Sequence, residues 1–306
     1  MIIMQDLEKV SAVSRMQEYI VTRIDEEITM QDLSQVAGYS LWHSIRVFKE
    51  LLDKTPFEYI RTLRLTIAAQ KLRDSDKKVI DVALSGGFDS HDGFTRAFSK
   101  QFDITPKKYR LEKPPVSYFT YYPIRDYYCL YEKRRNDEIM KNGFSSTVTV
   151  QAVTRPDRKL ILLRSENATD YFSFCSEKGC DWEGLLNSIS EKFDNAAILE
   201  LPPKFMKNGT STCAAGVEVP YDFNKSLPEG YEMLDLPQCT MLYFCGMPFE
   251  NEEDFGKAID VVMESIETYR AELYGYAFSD DVAPKFNFGA ANKVGAKMAV
   301  PVVTKI

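Results

Sequence analysis

An internal duplication in the first third of the chain restricts its possible folds more than any other sequence feature. A segment around Gly38 recurs 49 residues later around Gly87, and the segment that starts at Ser40 recurs 50 residues later at Ser90. A repeat of this length predicts two copies of one supersecondary unit. The matching pairs are Leu33 and Val82, Gly38 and Gly87, Tyr39 and Phe88, Ser40 and Ser90, Arg46 and Arg96, Phe48 and Phe98, Asp53 and Asp103, Thr55 and Thr105, and Pro56 and Pro106.

Each copy has the pattern of a helix-turn-helix. A short amphipathic helix is followed by a turn that contains glycine, and a longer helix begins after a serine that can cap it. In the longer helices, Phe48 and Phe98 lie on an apolar stripe, whereas Arg46 and Arg96 project from a different face. The second helix of such a unit typically enters the major groove of DNA. The predicted short helices are 30–37 and 79–86, and the predicted longer helices are 41–52 and 91–102.

Further helices complete this part of the chain. Four apolar residues recur at helical spacing over 56–73, after a proline of the kind favoured in a first turn. A helix over 10–23 precedes the first copy, and together these elements predict an all-α, seven-helix domain. A plain helical bundle with no role in DNA binding has the same spacing, so the pattern alone leaves both interpretations open.

The charge of the chain is unevenly distributed. The net charge is −7, yet residues 42–110 carry 14 Lys and Arg against 9 Asp and Glu. Residues 1–41 carry 3 against 7, and residues 114–306 carry 20 against 28. A basic segment inside an acidic protein is compatible with a DNA-binding face, because binding depends on the local field. A solvated charged surface would have a similar composition.

The identities of the repeated residues are more specific than their spacing. The sequence resembles the AraC family of transcription regulators over residues 28–110, and this implies a double helix-turn-helix domain over 1–113 that binds double-stranded promoter DNA. The residues that carry the resemblance are the run from Ser40 to Lys49, then Tyr59, Ile60, Arg61, Leu63, Arg64, Ala69, Gly87, Phe88, Asp89, Ser90, Phe94, Arg96, Ala97, Phe98, Phe102, and the run from Thr105 to Arg110.

The resemblance also implies which side chains contact bases. Arg46 and Arg96 are the strongest candidates, because a guanidinium can hydrogen-bond O6 and N7 of guanine together. Trp42 would contact a thymine methyl or a sugar edge, and its alternative role is packing. Ile45 departs from the polar residue that the resemblance leads us to expect, and the carboxylate of Asp92 is unfavourable near phosphates, so an unusual operator is predicted. The full set of base-contact candidates is Trp42, Ile45, Arg46, His91, Asp92, Thr95 and Arg96.

Basic residues around these helices are candidates for phosphate contacts, which fix register without reading sequence. If the two units enter successive major grooves, their spacing is about one helical turn, roughly 34 Å. A monomer could then read an asymmetric site. The phosphate candidates are Lys49, Lys54, Arg61, Arg64, Lys100, Lys107 and Lys108.

The second half of the chain has a different sequence pattern. Residues 114–145 are predicted to be a linker, rich in tyrosines (Tyr121, Tyr122, Tyr127, Tyr128 and Tyr131) that favour interdomain packing over ligand stacking. Two copies of a strand-helix-strand unit then predict an α+β domain with a pseudo-symmetric sheet and a groove between the copies. The predicted strands are 147–153, 159–164, 214–219, 231–236, 240–246 and 297–303, and the predicted helices are 182–193 and 252–273.

Residues 146–306 resemble the GyrI-like effector-binding domains, through Val148-Thr149-Val150, Pro156, Lys159-Leu160, the run from Gly216 to Val219, and Val300-Pro301-Val302. The resemblance implies a groove for a lipophilic effector, with aromatic walls and a carboxylate just before the last strand. Asn287 stands where that Glu is expected, which argues against a preference for cations. The candidate effector residues are Trp182, Glu218, Tyr221, Tyr243, Tyr276, Phe286, Asn287 and Phe288.

These features predict a cytoplasmic transcription regulator of the AraC family, and the expected partners are promoter DNA, RNA polymerase and a small-molecule effector or protein. An activator is the expected type. No cofactor, metal or enzymatic activity is expected, since no CxxC occurs and the 2 histidines lie in the helical part. One alternative is a hydrolase, although Asn287 could not serve as its general base. Another is a ligand-sequestering module with a helical adaptor.

Overall fold

The computed structural model describes residues 2–88, 90–121, 124, 147–250, 254–291 and 293–305. They form two compact units. The first contains residues 2–114, 119–121 and 124, and the second contains residues 115–118 and those from 147 onward. The predicted linker 114–145 lies mostly outside the described residues, as do four of its tyrosines. No helix in the described part of the chain is both long and apolar enough to cross a membrane.

The first unit is all-helical, and the predicted helices 30–37, 41–52 and 91–102 are confirmed. The helix predicted over 10–23 begins earlier, at Ile2, and the linking helix ends at Asp74 rather than Arg73. The helices are α1 (Ile2–Thr22), α2 (Met30–Ala37), α3 (Leu41–Leu52), α4 (Pro56–Asp74), α5 (Val79–Ser85), α6 (His91–Phe102) and α7 (Pro106–Glu112).

The duplication is visible in how the helices begin and end. Ser40 caps α3 by accepting a hydrogen bond from the backbone N–H of residue 43, and Ser90 caps α6 through the N–H of residue 93. Both helices end at an aspartate in the left-handed conformation, Asp53 at φ 53° and Asp103 at φ 55°. A threonine cap and a proline in the first turn then start α4 and α7.

The cores of the two copies differ in composition. In the first copy, Phe48 packs edge-on against Tyr59, with ring centroids 5.4 Å apart. In the second copy, Phe94, Phe98 and Phe102 follow one another along α6 at centroid distances of 5.5 and 4.7 Å. These side chains are buried, so each long helix is fixed by its inward face and leaves the opposite face to solvent.

The second unit is built on one antiparallel sheet. In the described part of this unit three α-helices accompany the sheet: α8 (Tyr171–Lys178), α9 (Asp181–Asn187) and α10 (Phe255–Thr268). The strands are β1 (Val148–Arg155), β2 (Arg158–Arg164), β3 (Ala197–Glu200), β4 (Cys213–Pro220), β5 (Tyr231–Leu236), β6 (Cys239–Gly246), β7 (Tyr276–Phe278), β8 (Lys285–Ala291) and β9 (Gly295–Thr304).

The strand order is symmetric about the β3 and β8 pair. The order is β1-β6-β9-β8-β3-β4-β2-β5, with β7 added beside β9. Exchanging β1 to β4 with β5, β6, β8 and β9, respectively, reproduces the same order in reverse. Strands β1 and β2 do not pair with each other, because β1 pairs with β6 and β2 pairs with β5. The sheet therefore consists of two equivalent halves that exchange their first strands.

Several predictions for this unit were wrong in detail. The predicted helix 182–193 is shorter, since α9 spans only Asp181–Asn187, and helix α8, which precedes it, was not predicted. Helix α10 is shorter than the predicted 252–273. Strands β3, β7 and β8 were not predicted, because β3 and β7 are short and the alternation at the start of β8 is followed at once by glycine and alanines.

The sheet has two different faces. The helix face carries α8 and α9 over one half, where Phe174 and Trp182 pack, and α10 over the other, where Val262 packs. The opposite face is called the front face below. Its buried core contains no residue of α8, α9 or α10. Its core contains Leu160, Leu199, Met241, Tyr243, Phe286 and Ala299.

Candidate DNA-binding surface and effector site

The recognition helices α3 and α6, the second helices of the two helix-turn-helix units, present the same pattern of exposure. Trp42 and Asp92 are exposed at equivalent positions, and Arg46 and Arg96 are exposed one turn later. Between them lie half-buried residues, Ile45 in α3 and Thr95 in α6. The structure thus brings the predicted base-contact side chains of each copy onto one solvent-facing surface of its helix.

Trp42 takes no part in the core. Its side chain is 71% exposed, which excludes the packing role that was the alternative. The guanidinium carbon of Arg46 lies 5.5 Å from the centre of its ring, a cation-π distance. A nitrogen of the Arg46 guanidinium is also 3.4 Å from Nδ1 of His43. Arg46 is therefore held beside Trp42 and remains open to solvent.

The second recognition helix is less apolar on its outer face. Asp92 is exposed, and its carboxylate lies 3.6 Å from Nδ1 of His91. Thr95 differs from the prediction, because its hydroxyl oxygen is buried and has no hydrogen-bond partner among the described residues. In this arrangement the hydroxyl of Thr95 does not reach the surface. Only the exposed part of the Thr95 side chain is therefore available to a base.

Most of the predicted phosphate contacts lie at the surface, but Arg64 does not fit that role. The Arg64 guanidinium donates hydrogen bonds to the backbone carbonyls of Ile24 and Glu26. It also lies against Gly87, where an added Cβ would be 3.0 Å from a guanidinium nitrogen. Arg64 thus holds the turn before α2, and Lys54 is half-buried near Phe119. The exposed phosphate candidates are Lys49, Arg61, Lys100, Lys107 and Lys108.

Sequence reasoning missed a residue that positions the first helix-turn-helix. Arg15 of α1 donates hydrogen bonds of 2.7 Å to the carbonyls of Val36 and Ala37, at the end of α2. These carbonyls have no partner inside the helix. Gly38 follows in the left-handed conformation at φ 75°. The turn between α2 and α3 is therefore fixed by an arginine distant in sequence.

On the front face of the second unit, three of the predicted effector residues form a row of rings. The rings of Tyr243 and Phe288 stack with centroids 6.2 Å apart and planes 16° apart. Phe288 also stacks on Phe286, at 5.9 Å and 13°. Tyr243 and Phe286 are buried, whereas Phe288 is half-buried. Phe288 is thus the ring of the row that is partly open to solvent, and it stacks on two buried rings.

Glu218, the predicted acid of the groove, is already paired. Its carboxylate lies 2.5 Å from Nε of Arg158 and 3.6 Å from Nε of Arg155, and the residue is 4% exposed. Burial raises the pKa of Glu218, and the guanidinium groups of Arg158 and Arg155 oppose that effect. A carboxylate with two arginine partners is not an unpaired charge awaiting a cation.

The other four predicted effector residues lie elsewhere. Trp182 packs under the helices with Phe174, and Tyr276 packs on the half that carries α10. Asn287 alternates with Phe286 and Phe288 along β8, so its side chain points to the helix face, where its oxygen accepts from the N–H of residue 289. Tyr221 lies in the turn after β4 and is 55% exposed. These residues were wrongly predicted to share the groove.

Charged residues that sequence reasoning missed surround the row of rings. Asp194 accepts hydrogen bonds from Arg155 at 2.6 Å and from the Tyr243 hydroxyl at 2.9 Å. Its other oxygen is 2.5 Å from Nζ of Lys297. One sequence signal could have found Lys297: it is a charged residue at an inward position of an apolar strand, which is uncommon without a partner.

A cavity of about 690 Å³ opens on the helix face, away from the row of rings. Its volume is in the range of small-molecule pockets. Tyr276, one of the predicted effector residues, lines it together with Val150, Phe244, Tyr269, Leu273 and Tyr274. Of the predicted aromatic residues, three therefore form the row on the front face and Tyr276 lines this cavity, while Trp182 and Tyr221 belong to neither place.

Comparison with known proteins bears on the first unit. The helix-turn-helix domain family matches residues 33–112. The probable transcription factor PqrA of Proteus vulgaris is 42% identical over 86 residues, which cover 28% of this chain and 70% of PqrA. The regulatory protein SoxS of Salmonella typhimurium is 37% identical over 93 residues, covering 30% of this chain and 87% of SoxS.

The transcriptional regulator Rob of Salmonella typhimurium is 41% identical over 87 residues, 28% of this chain and 30% of Rob. Among solved structures, the DNA-binding domain of AdpA in complex with a target DNA is 25% identical, with a TM-score of 0.32, covering 33% of this chain and 91% of that one. These similarities concern about a third of the chain.

Proposed function

The chain belongs to the AraC family of DNA-binding transcription regulators, and from that premise we propose that α3 and α6 read one promoter site through successive major grooves. The observation that carries this proposal is the equivalent, exposed placement of Arg46 and Arg96. Each guanidinium would hydrogen-bond a guanine, which contributes about 1 to 3 kcal/mol of discrimination. The target is an asymmetric site read by one chain.

The remaining surface of the first unit suits this role. Exposed lysines and arginines on and after the recognition helices would hold the phosphates on either side of the groove. Trp42 would add an apolar contact, and the half-buried Ile45 would leave the base beneath it without a hydrogen bond. Asp92 would accept from a cytosine amino group or a water. We therefore expect the operator to differ from that of a regulator in which polar residues lie beside the two recognition arginines.

The test of DNA recognition begins with selection of binding sites from random duplexes by the purified chain. Replacing Arg46 and Arg96 together by alanine should reduce affinity for the selected site by at least about a hundredfold, and the native affinity should fall steeply with salt. Arg23→Ala is the matched control, since Arg23 is exposed in the same unit, lies outside α3 and α6, and contacts Glu26 at 3.2 Å and the ring of Tyr19. Equal affinity of the double variant and the control would refute the proposal.

In this proposal the second unit, within the GyrI-like domain predicted over 146–306, binds a small lipophilic effector and biases DNA binding or contact with RNA polymerase. Residues 1–113 form the DNA-binding domain and 114–145 the linker. The symmetric strand order of the sheet supports this reading, because it is the order that two copies of one strand-helix-strand unit would produce. The row formed by Tyr243, Phe286 and Phe288 supplies the apolar wall.

Two measurements test the regulatory part. Native mass spectrometry of the purified chain should detect a copurified small molecule, and its removal should change DNA affinity. Transcription in vitro with RNA polymerase and a template carrying the selected site should rise when the chain is added, as expected of an activator. A fall in transcript would make the protein a repressor, and an unchanged level would remove the regulatory role.

The hydrolase alternative gains no support from the front face. Its general base would be a free carboxylate, but Glu218 is paired with Arg158 and Asp194 is bound by Arg155, Tyr243 and Lys297. An amide cannot replace such a base, and Asn287 lies on the other face of β8.

A further inference from the structure

The front face contains more positive than negative charge. Five charged residues, called the front-face cluster, lie in direct contact: Arg155, Arg158, Lys297, Asp194 and Glu218. Among the described residues the cluster therefore holds three cations and two carboxylates. The side chains are 0% to 36% exposed, so bulk water screens the excess charge only in part.

The excess positive charge is located at Arg155 and Lys297. Arg158 is fully engaged, by Glu218 and by the carbonyls of Pro156 and Pro237. Arg155, in contrast, has a buried Nε without a hydrogen-bond partner among the described residues, its nearest acceptor being Glu218 at 3.6 Å. A buried donor without an acceptor costs free energy that a ligand oxygen would recover.

Lys297 connects this charge to the row of rings. Its Nζ lies 4.9 Å from the centre of the Tyr243 ring and 4.7 Å from the centre of the Phe288 ring. Both rings therefore already receive a cation from the protein itself. An incoming ammonium would meet a like charge there, whereas an incoming carboxylate would meet an opposite one.

We propose, resting on the effector role of the second unit, that the front face binds an organic anion with a flat apolar body. The carboxylate or sulfonate would contact Arg155 and Lys297, and the body would lie against the partly exposed ring of Phe288, which stacks on the buried rings of Tyr243 and Phe286. Asp194 already neutralises part of the positive charge, because it pairs with both Arg155 and Lys297. Lys297 would therefore interact with Asp194 and with the anion of the ligand at the same time. The chemistry selects acids over amines of the same shape.

Calorimetry on the full chain with two probes of matched shape tests this selection. 2-Naphthoate should bind at least about tenfold more tightly than 2-naphthylmethylammonium, because a charge-assisted hydrogen bond in a partly buried site contributes one to two powers of ten in affinity. Lys297→Met keeps most of the length of the side chain, removes its charge and should weaken naphthoate binding by a similar factor. Lys285→Met is the matched control, since Lys285 pairs with Glu200 away from the rings.

The comparison of the two probes on the unchanged chain does not depend on the folding of any variant. Equal or tighter binding of the amine, or no binding of naphthoate, would overturn the proposal, as would undiminished naphthoate binding by a folded Lys297→Met chain. Loss of DNA binding by the double arginine variant is a separate measurement. Naphthoate binding without any effect on DNA affinity would remove the regulatory function and leave the ligand class intact.

Discussion

Arg46 and Arg96 each lie six residues after a capping serine, on helices of the same length, 12 residues, that end at a left-handed aspartate. Because cap, length and end are shared, the two guanidinium groups leave their helices at the same turn and on the same face. The cores beneath them differ, however, since Ser44 is buried where the second copy has Phe94. The neighbouring exposed positions differ too, with Trp42 in the first copy and Asp92 in the second, so the arginine position is preserved while its surroundings have changed.

The first prediction concerns specificity rather than affinity alone. Arg46→Lys and Arg96→Lys keep the charge but remove the paired donors, so each should relax selectivity at one base pair by about 1 to 3 kcal/mol. Competition binding against sites with single base changes measures this. Binding to unrelated DNA should stay within a few-fold of native. A uniform loss at all positions would assign the arginine to a phosphate.

A second prediction contrasts an exposed with a buried aromatic residue of α3. Trp42→Ala should change the free energy of unfolding by no more than about 0.5 kcal/mol, because Trp42 is a surface residue. Phe48→Ala should cost about 3 to 5 kcal/mol, since its ring is completely buried. Denaturant titrations give both values. Trp42→Ala should nevertheless weaken operator binding, which separates its role from packing.

The turn glycines support a third prediction. Gly38 and Gly87 have φ 75° and 74°, where a side chain is strained by about 1 to 2 kcal/mol. At Gly38 an added Cβ would meet only Arg15, at 3.9 Å, so Gly38→Ala should cost that backbone strain alone. Gly87→Ala should cost more, because its Cβ would press on Arg64. Equal melting temperatures for both variants and the native chain would contradict this account.

A fourth prediction concerns acid stability of the second unit. The backbone N–H of Glu166, together with that of Asn167 and the charge of Lys178, lowers the pKa of Glu177 from 4.5 to about 2. A lowered folded-state pKa stabilises the fold above the unfolded value, and this stabilisation is lost as pH falls from about 4.5 toward 2. Glu177→Gln should therefore unfold more easily at pH 7 and show a flatter pH dependence below 4.5.

Urea titrations between pH 7 and pH 2.5 would measure the effect. Trp42→Phe in both chains leaves Trp182 as the single tryptophan, which reports on the second unit alone. Parallel pH curves for the two chains would show that Glu177 is not responsible.

The sequence was sufficient to predict the helical unit because its signals are local. The capping residues Ser40 and Ser90 lie directly before their helices. Together with the apolar spacing, they define the helix ends from residues that are close in sequence. Arg64 and Thr95 were misassigned, since their partners come from distant segments or from the interior. The front-face cluster could not be predicted, because Arg155, Asp194 and Lys297 meet only after the sheet has formed. Asn287 was assigned to the wrong face because β8 was not predicted. Side chains alternate between the two faces along a strand, so the face of a residue is known only when its strand is known.

The exchanged strands of the sheet also determine when each part of the protein can fold during synthesis. Val148 pairs with Gly246, and β9, which comes last along the described chain, pairs with both β6 and β8. Such long-range pairing is slow and needs almost the whole chain, whereas the helical unit relies on contacts close in sequence. A chain that stops before β9 would keep its DNA-binding part and lose the sheet. If the second unit regulates DNA binding as proposed, such a chain would bind the operator without that regulation.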